Sequence, residues 1–158
     1  MTAAPGAVIV RAGTPADRAR VQRIAGAAMR AFQIEPDFDD LDRDLGRFGE
    51  PEDSDSIFLA ADFRGQVVGS LVLTRKDAQV WKLSGFYVDQ DCRGQGLGRA
   101  LLQAAIAAAS ARGASGIYLE TWTKMAAAVS LYTSLGWKRG EQRLPVSSGA
   151  EWSYMLDL

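Results

Sequence analysis

The sequence predicts an α/β domain built on a mixed sheet covered by helices. Three observations predict it. Short β-branched and aromatic runs alternate with helical apolar spacing in the order β-α-α-β-β-β-α-β-α-β-β. A glycine-rich stretch, Arg93–Gly98, joins a strand to a helix. The 158 residues, 47% hydrophobic and 23% charged, fit one globular domain over 1–158 without repeat or linker.

The elements follow in order. Val8–Val10 is a first strand. Thr14-Pro15-Ala16-Asp17 starts a helix, with Thr14 as cap, Pro15 at the first position and Asp17 at the positive end. Val21, Ile24, Ala25, Ala28, Met29 and Phe32 form its apolar face, and Pro36 ends it or the link after it. Ten of the nineteen acids lie between Glu35 and Asp55. Within them Phe38, Leu41, Leu45 and Phe48 step by three and four, which predicts an amphipathic helix with an acidic outer face. Ile57–Ala61 and Gln66–Leu73 flank a hairpin turn at Arg64-Gly65, and Val80–Val88 is the next strand. Leu101, Leu102, Ala105, Ile106 and Ala109 give a helix that ends at Gly113. Ile117–Glu120 is a strand. Met125–Leu135 is a helix closed by Gly136 at the C′ position. Trp137–Arg139 and Trp152–Leu156 form a last strand pair around the loop 142–150.

Composition excludes several chemistries. There is no histidine, so Ser–His–Asp triads, Cys–His dyads and His-ligated zinc are out. The single cysteine, Cys92, forms no intrachain disulfide or CxxC pair. The charge sum, 18 − 19 = −1, gives no net field toward nucleic acid or an anionic membrane. Met1–Gly6 has no basic n-region, and no apolar run approaches the roughly 20 residues of a membrane span. A soluble, cytoplasmic protein is expected. A calcium loop beginning at Asp37 fails, because its sixth position is Asp42 and its twelfth Phe48.

The glycine stretch carries the chemistry. Glycines let backbone N–H groups converge, and the following helix adds unpaired donors and a positive dipole end. Such a loop holds phosphate or pyrophosphate. The alternative is a tight strand-to-helix connection with no ligand, but one glycine would serve a turn and three are present. The spacing fails GxGxxG, which needs glycine at Arg99, and lacks the Gly-Lys-Ser/Thr of a P-loop. What remains is R-x-x-G-x-G at Arg93, Gly96 and Gly98. Downstream, Ala128-Val129-Ser130-Leu131-Tyr132-Thr133-Ser134-Leu135-Gly136-Trp137 sets a tyrosine four residues before a helix-ending glycine.

On these two motifs, in this order and separation, the chain resembles the GNAT superfamily of acetyl-CoA-dependent N-acetyltransferases. That family's elements are Q/R-x-x-G-x-G/A and approximately A-x-x-L-Y-x-x-L-G-F/W. The resemblance extends over the strand and helix order of the whole chain. It implies a central, mostly antiparallel, splayed sheet flanked by helices, with acetyl-CoA as cosubstrate and no metal. It implies that Arg93, Gly94, Gln95, Gly96, Leu97, Gly98 and Arg99 cradle the pyrophosphate, mainly by backbone N–H. Phe86, Tyr87 and Val88 are then the strand edge for the pantetheine arm, and Tyr132 sits near the thioester sulfur. Met125 departs from the family, standing where many members carry an asparagine.

The implied reaction moves an acetyl group directly to a primary amine of a small molecule or peptide. Tyr132 is the candidate acid for the leaving thiolate, although helical spacing alone makes it a core aromatic. A strand N–H near Val88 is the candidate donor to the oxyanion. Without histidine the base is a carboxylate or water: Glu120 by family position, then Asp89. Cys92 lacks a partner that would make it a nucleophile. The acidic stretch reads either as a solvated face or as the wall for a cationic acceptor. Trp81, Trp122 and Trp152 read as core or as acceptor pocket. Expected partners are thus an amine acceptor, neither nucleic acid nor membrane, and a second copy in a homodimer. A catalytically silent acyl-CoA-binding module on the same fold is the alternative.

Overall fold

One sheet separates two hydrophobic layers, and its central strands are apolar on both faces for that reason. The computed structural model describes residues 7–51, 53–92 and 94–158. The Arg93 assignment and the reading of Met1–Gly6 therefore lie outside the described residues. The strands are β1 (Val8–Ala12), β2 (Ser56–Phe63), β3 (Gln66–Arg75), β4 (Val80–Val88), β5 (Gly116–Thr121), β6 (Lys138–Arg139) and β7 (Trp152–Asp157). The helices are α1 (Arg18–Ala31), α2 (Arg43–Gly46), α3 (Leu97–Ala111) and α4 (Ala126–Ser134). The sheet order is β1-β2-β3-β4-β5-β7-β6. Every pairing is antiparallel except β4 with β5.

The central hairpin follows from its turn residues. Arg64 and Gly65 both take left-handed backbone, at φ 56° and 81°, as a two-residue connection requires. Asp62 Oδ1 accepts the Gly65 N–H at 2.9 Å and braces the turn. Alternation then sorts side chains between the layers. Ile57, Leu59 and Ala61 join Leu71 and Leu73 under α3, which contributes Leu101, Leu102, Ala105 and Ala109. Phe58, Ala60, Val67 and Val72 face the other way, under Val21, Ala25 and Met29 of α1 and under Leu45 and Phe48.

Both long C-terminal stops are glycine caps. Gly136 (φ 107°) lets Trp137 N–H reach Tyr132 O at 3.0 Å, and Gly136 N–H reaches Thr133 O at 3.2 Å. Gly113 does the same for α3, with Ala114 N–H on Ala109 O at 3.1 Å. The indole of Trp137 is buried and donates to Ile117 O at 3.1 Å, which ties the end of α4 to β5.

Two expectations change. The helix through the acidic stretch shrinks to four residues, Arg43–Gly46. Asp42 accepts the Asp37 N–H at 2.8 Å, a local bond that competes with helix formation. Gly46 lies so close to Phe38 O that a Cβ there would collide with it, and Gly49 turns left-handed at φ 87°. Leu45 and Phe48 still reach the core, but Leu41 is 73% exposed. The second change concerns the entry to α1, which runs through a 3-10 turn at Pro15–Asp17. Thr14 caps that turn in a capping box with Asp17, which reaches back to accept the Thr14 N–H at 2.8 Å.

Asp17 is buried and also takes both guanidinium nitrogens of Arg11, at 2.8 and 3.0 Å. The Arg11 hydrogen bonds lead in holding its carboxyl below the ordinary range, against burial. The stability this supplies is present above the ordinary carboxylate range and drains as pH falls through the lowered value. Asp17→Asn should therefore cost about 1–3 kcal/mol at neutral pH, since it weakens a charged hydrogen-bond set. The gap to wild type should narrow on acidification. Urea melts at neutral and acid pH check both; equal stability at neutral pH refutes the role.

Candidate active site

The site forms where β4 and β5 part. Their parallel pairing covers Val80↔Gly116, Trp81↔Ile117 and Lys82↔Tyr118, and then stops. Leu83–Val88 consequently has an edge without a strand neighbour on that side. A bulge lies on this stretch. Ser70 pairs with Tyr87 and Val72 with Ser84, so Gly85 and Phe86 together oppose Leu71. Gly85 takes φ 60°, and a Cβ there would crowd Leu45 Cδ2 at 2.8 Å. Buried Ser70 donates its hydroxyl to Gly85 O at 2.7 Å, satisfying the carbonyl that the bulge displaces. Asp89 N–H bonds Val68 O at 2.7 Å. By the two-residue period of an antiparallel ladder, Tyr87 also faces β3, while Phe86 and Val88 turn their backbone groups to the open edge.

Two cavities meet at this parting. The larger, about 410 Å³, is lined by Phe86, Tyr87 and Val88, by Gly94, Gly96, Leu97, Gly98 and Arg99, and by Met125 and Leu131 of the α4 side. The smaller, about 220 Å³, is lined by Lys82, Ser84, Tyr87, Glu120, Trp122 and Tyr132, with Ile34, Leu41 and Asp42 from the acidic stretch. Phe86, Tyr87, Met125 and Ala128 border both.

Most of the sequence-predicted cradle lies in the larger cavity. Gly94 and Gly96 are left-handed, at φ 81° and 75°, and the space beside each is open. Gly96 is the residue before α3, whose first-turn N–H groups have no helical acceptor. Gly98 is needed for closeness: a Cβ there would sit 2.9 Å from Leu131 and 3.3 Å from the Phe86 ring. Arg99 bonds Ser134 Oγ at 3.2 Å. Gln95 is exposed and lines neither cavity. Cys92 is half-buried in the wall of the larger one.

Tyr132 is 5% exposed and stands at the centre of an aromatic cluster. Its ring lies 5.8 Å from Phe86, 5.8 Å from Trp137 and 6.4 Å from Tyr154. Burial pushes its phenol above the ordinary value, and neighbouring Tyr87 adds to that. Tyr87 is raised by burial and by Asp42. Asp42 in turn is raised by partial burial and by Asp37, against the hydrogen bond from the Asp37 N–H. Glu120 has both oxygens engaged, with Lys82 Nζ at 3.2 Å and the Tyr118 hydroxyl at 3.1 Å. Asp89 points elsewhere: it pairs with Arg20 at 2.7 Å, accepts the Asp91 N–H at 3.0 Å and lines neither cavity.

The tryptophans divide. Trp81 is fully buried in the core, Trp122 lines the smaller cavity, and Trp152 stacks with Arg139 at 4.1 Å. Sequence reasoning did not single out Asp42, Lys82 or Ser84. Lys82 meets Glu120 only through the β4–β5 register, and nothing local separates Asp42 from the other acids around it.

A sheet split beside a glycine-led helix, with a second cavity across the split, defines an acyl-CoA N-acyltransferase fold. The model of the Acetyltransferase (GNAT) family matches residues 19–137, and the chain belongs to that family. It is 31% identical over 113 residues to the mycothiol acetyltransferase of Actinosynnema mirum, covering 70% of this chain and 38% of that protein. It is 39% identical over 74 residues to the [ribosomal protein bS18]-alanine N-acetyltransferase of Escherichia coli K12, covering 45% of this chain and 50% of that one. The chain thus spans half or less of the length of these relatives. A GNAT-family acetyltransferase from Staphylococcus aureus Mu50 superposes with a TM-score of 0.83 at 24% identity, over 96% of this chain and 99% of that one. That likeness confirms the splayed mixed sheet. Among the described residues no helix is long and apolar enough to cross a membrane.

Gly96 gives a direct test of the loop conformation. Gly96→Val forces a β-branched residue into left-handed backbone, and should cost about 1–2 kcal/mol in a urea melt of the free protein. Unchanged stability would mean that residue 96 does not hold that conformation.

Proposed function

We propose that this chain is an N-acetyltransferase that passes the acetyl group of acetyl-CoA directly to a primary amine. The carrying observation is the pair of cavities joined at Phe86, Tyr87, Met125 and Ala128 across the β4–β5 gap. Family membership supports acetyl-CoA as the cosubstrate. The larger cavity suits it: left-handed Gly94 and Gly96 and the first turn of α3 offer converging N–H donors to a pyrophosphate. The open edge of Phe86 and Val88 suits the amides of a pantetheine arm, and the smaller cavity suits the amine. The relatives' names refer to mycothiol and to a ribosomal-protein alanine, so small-molecule and peptide acceptors are both carried forward.

In this reading the neutral amine attacks the thioester carbonyl, and a C–N bond forms. The carbonyl electrons move to oxygen, and the Val88 N–H at the open edge is suited to receive that charge. Collapse breaks the C–S bond. The thiolate takes the proton of Tyr132, whose buried phenol keeps it through neutral pH, and the proton shed by the new amide nitrogen returns to the tyrosinate through water. The ammonium proton of the incoming acceptor leaves through water to Glu120. Lys82 and Tyr118 orient that carboxylate. Asp89 is the weaker candidate, because it lines neither cavity whereas Glu120 lines the smaller one. The compartment this reading calls for is the cytoplasm, where acetyl-CoA is available.

Saturating acetyl-CoA should raise the melting temperature, and ATP or NAD should not. Ligand at a hundredfold over its Kd adds about 2.7 kcal/mol to the folded state. Free thiol should then appear when a panel of amines and short peptides is added. A thermal shift without thiol release from any acceptor would favour a silent CoA-binding module; no shift at all would refute both readings.

Tyr132→Phe should bind acetyl-CoA with the wild-type thermal shift and lower kcat by about 10²–10⁴. Unchanged turnover in the folded variant removes Tyr132 from the chemistry.

A further inference from the structure

The smaller cavity has an unbalanced charge. Lys82 and Glu120 neutralise one another across its β4–β5 wall at 3.2 Å. Asp42 also lines this cavity, and it is the one acid of the described 35–55 stretch that lines either cavity. Its neighbours in that stretch are otherwise engaged or exposed. Glu35 pairs with Arg30, Asp44 with Arg47 and Ser84, Glu50 with Arg47, and Asp55 with Arg75. Asp37, Asp39 and Asp40 are exposed. Asp42 has no cationic partner among the described residues.

Asp42 is also fixed in place before any ligand arrives. Its N–H bonds Asp37 O at 2.7 Å, and its own carbonyl accepts Leu45 N–H at 3.0 Å and Gly46 N–H at 3.2 Å. Oδ2 holds the Asp37 N–H at 2.8 Å, while Oδ1 has no protein donor among the described residues. A half-buried carboxylate with one oxygen free of protein donors gains most from a matching cation. The cavity that Asp42 and Tyr132 share is also lined by Ile34, Leu41, Leu83, Leu119 and Trp122, which suit an alkyl chain.

Resting on the acetyltransferase reading above, we propose that Asp42 is a specificity-determining residue. It anchors a second ammonium group of the acceptor, so that the cavity takes diamines in preference to monoamines. The amine to be acetylated lies at the Tyr132 end, and the distal ammonium lies against Oδ1 of Asp42. The raised carboxyl of Asp42 is the expected state of an anion that awaits its counter-charge.

The test compares α,ω-diamines with n-alkylamines of the same chain length, with released CoA as readout. Wild type should favour the best diamine by about ten- to a hundredfold in kcat/KM, the range of a charge-assisted contact. In Asp42→Asn that ratio should collapse toward one, chiefly through KM for the diamine. Asp42→Ser keeps an oxygen for the Asp37 N–H and removes the charge, so it serves if the asparagine variant folds poorly. Asp42→Glu should restore part of the ratio. The acetyl-CoA thermal shift of each variant reports an intact cofactor side. A wild-type ratio near one, or a ratio that survives in a folded Asp42→Asn or Asp42→Ser, overturns the Asp42 assignment alone. Absence of thiol release from any amine with wild type overturns the acetyltransferase reading and this assignment with it.

Discussion

Strands β4 and β5 share three residue pairs, Val80 to Lys82, and then separate, and the site is a consequence of that separation. Sheet edges inside a fold are costly, because buried N–H and C=O groups need partners. Two features keep the strands apart here. The bulge at Gly85–Phe86 breaks the β4 register and turns its backbone, with Ser70 covering the displaced carbonyl. The Tyr132 cluster then fills the wedge between Phe86 on β4, Trp137 beyond α4 and Tyr154 on β7. An ordinary parallel pair would have continued pairing and closed both cavities.

The same parting explains why the glycine stretch must be glycine. α3 has to start beside the end of β4 and pack on α4 within a Cβ's width, which Gly98 permits against Leu131 and Phe86. Gly94 and Gly96 serve a different demand, left-handed backbone facing open space. Three glycines in one loop therefore answer two separate constraints, close packing at Gly98 and left-handed backbone at Gly94 and Gly96.

Legibility in the sequence followed the range of the interactions. The Arg64-Gly65 turn, the Gly113 and Gly136 caps and the Val80–Val88 strand are local, and they appear where the residues predict them. Tyr132 was readable because a motif fixes it relative to Gly136. The stretch 35–55 misled because its three-and-four spacing mimics a helix. Tertiary contacts hold Leu45 and Phe48 inside, while side-chain bonds of Asp42 and the tight approach at Gly46 break the helix. The Lys82–Glu120 pair and the isolation of Asp42 depend on strand register and on which neighbours find other partners. A single sequence carries no signal for either.

The Tyr132 wedge gives one side chain two duties, and they constrain each other. Its ring packs against Phe86 of β4 and Tyr154 of β7, at the parting of β4 from β5, so the position favours a large aromatic whatever the chemistry. The residue lines the smaller cavity, and burial keeps the proton on its oxygen. In the proposed reaction that proton is needed only once the thiolate has formed, so a phenol harder to ionise than usual loses nothing in the ground state. The group packed at the gap is thus also held in the protonation state that the reaction requires.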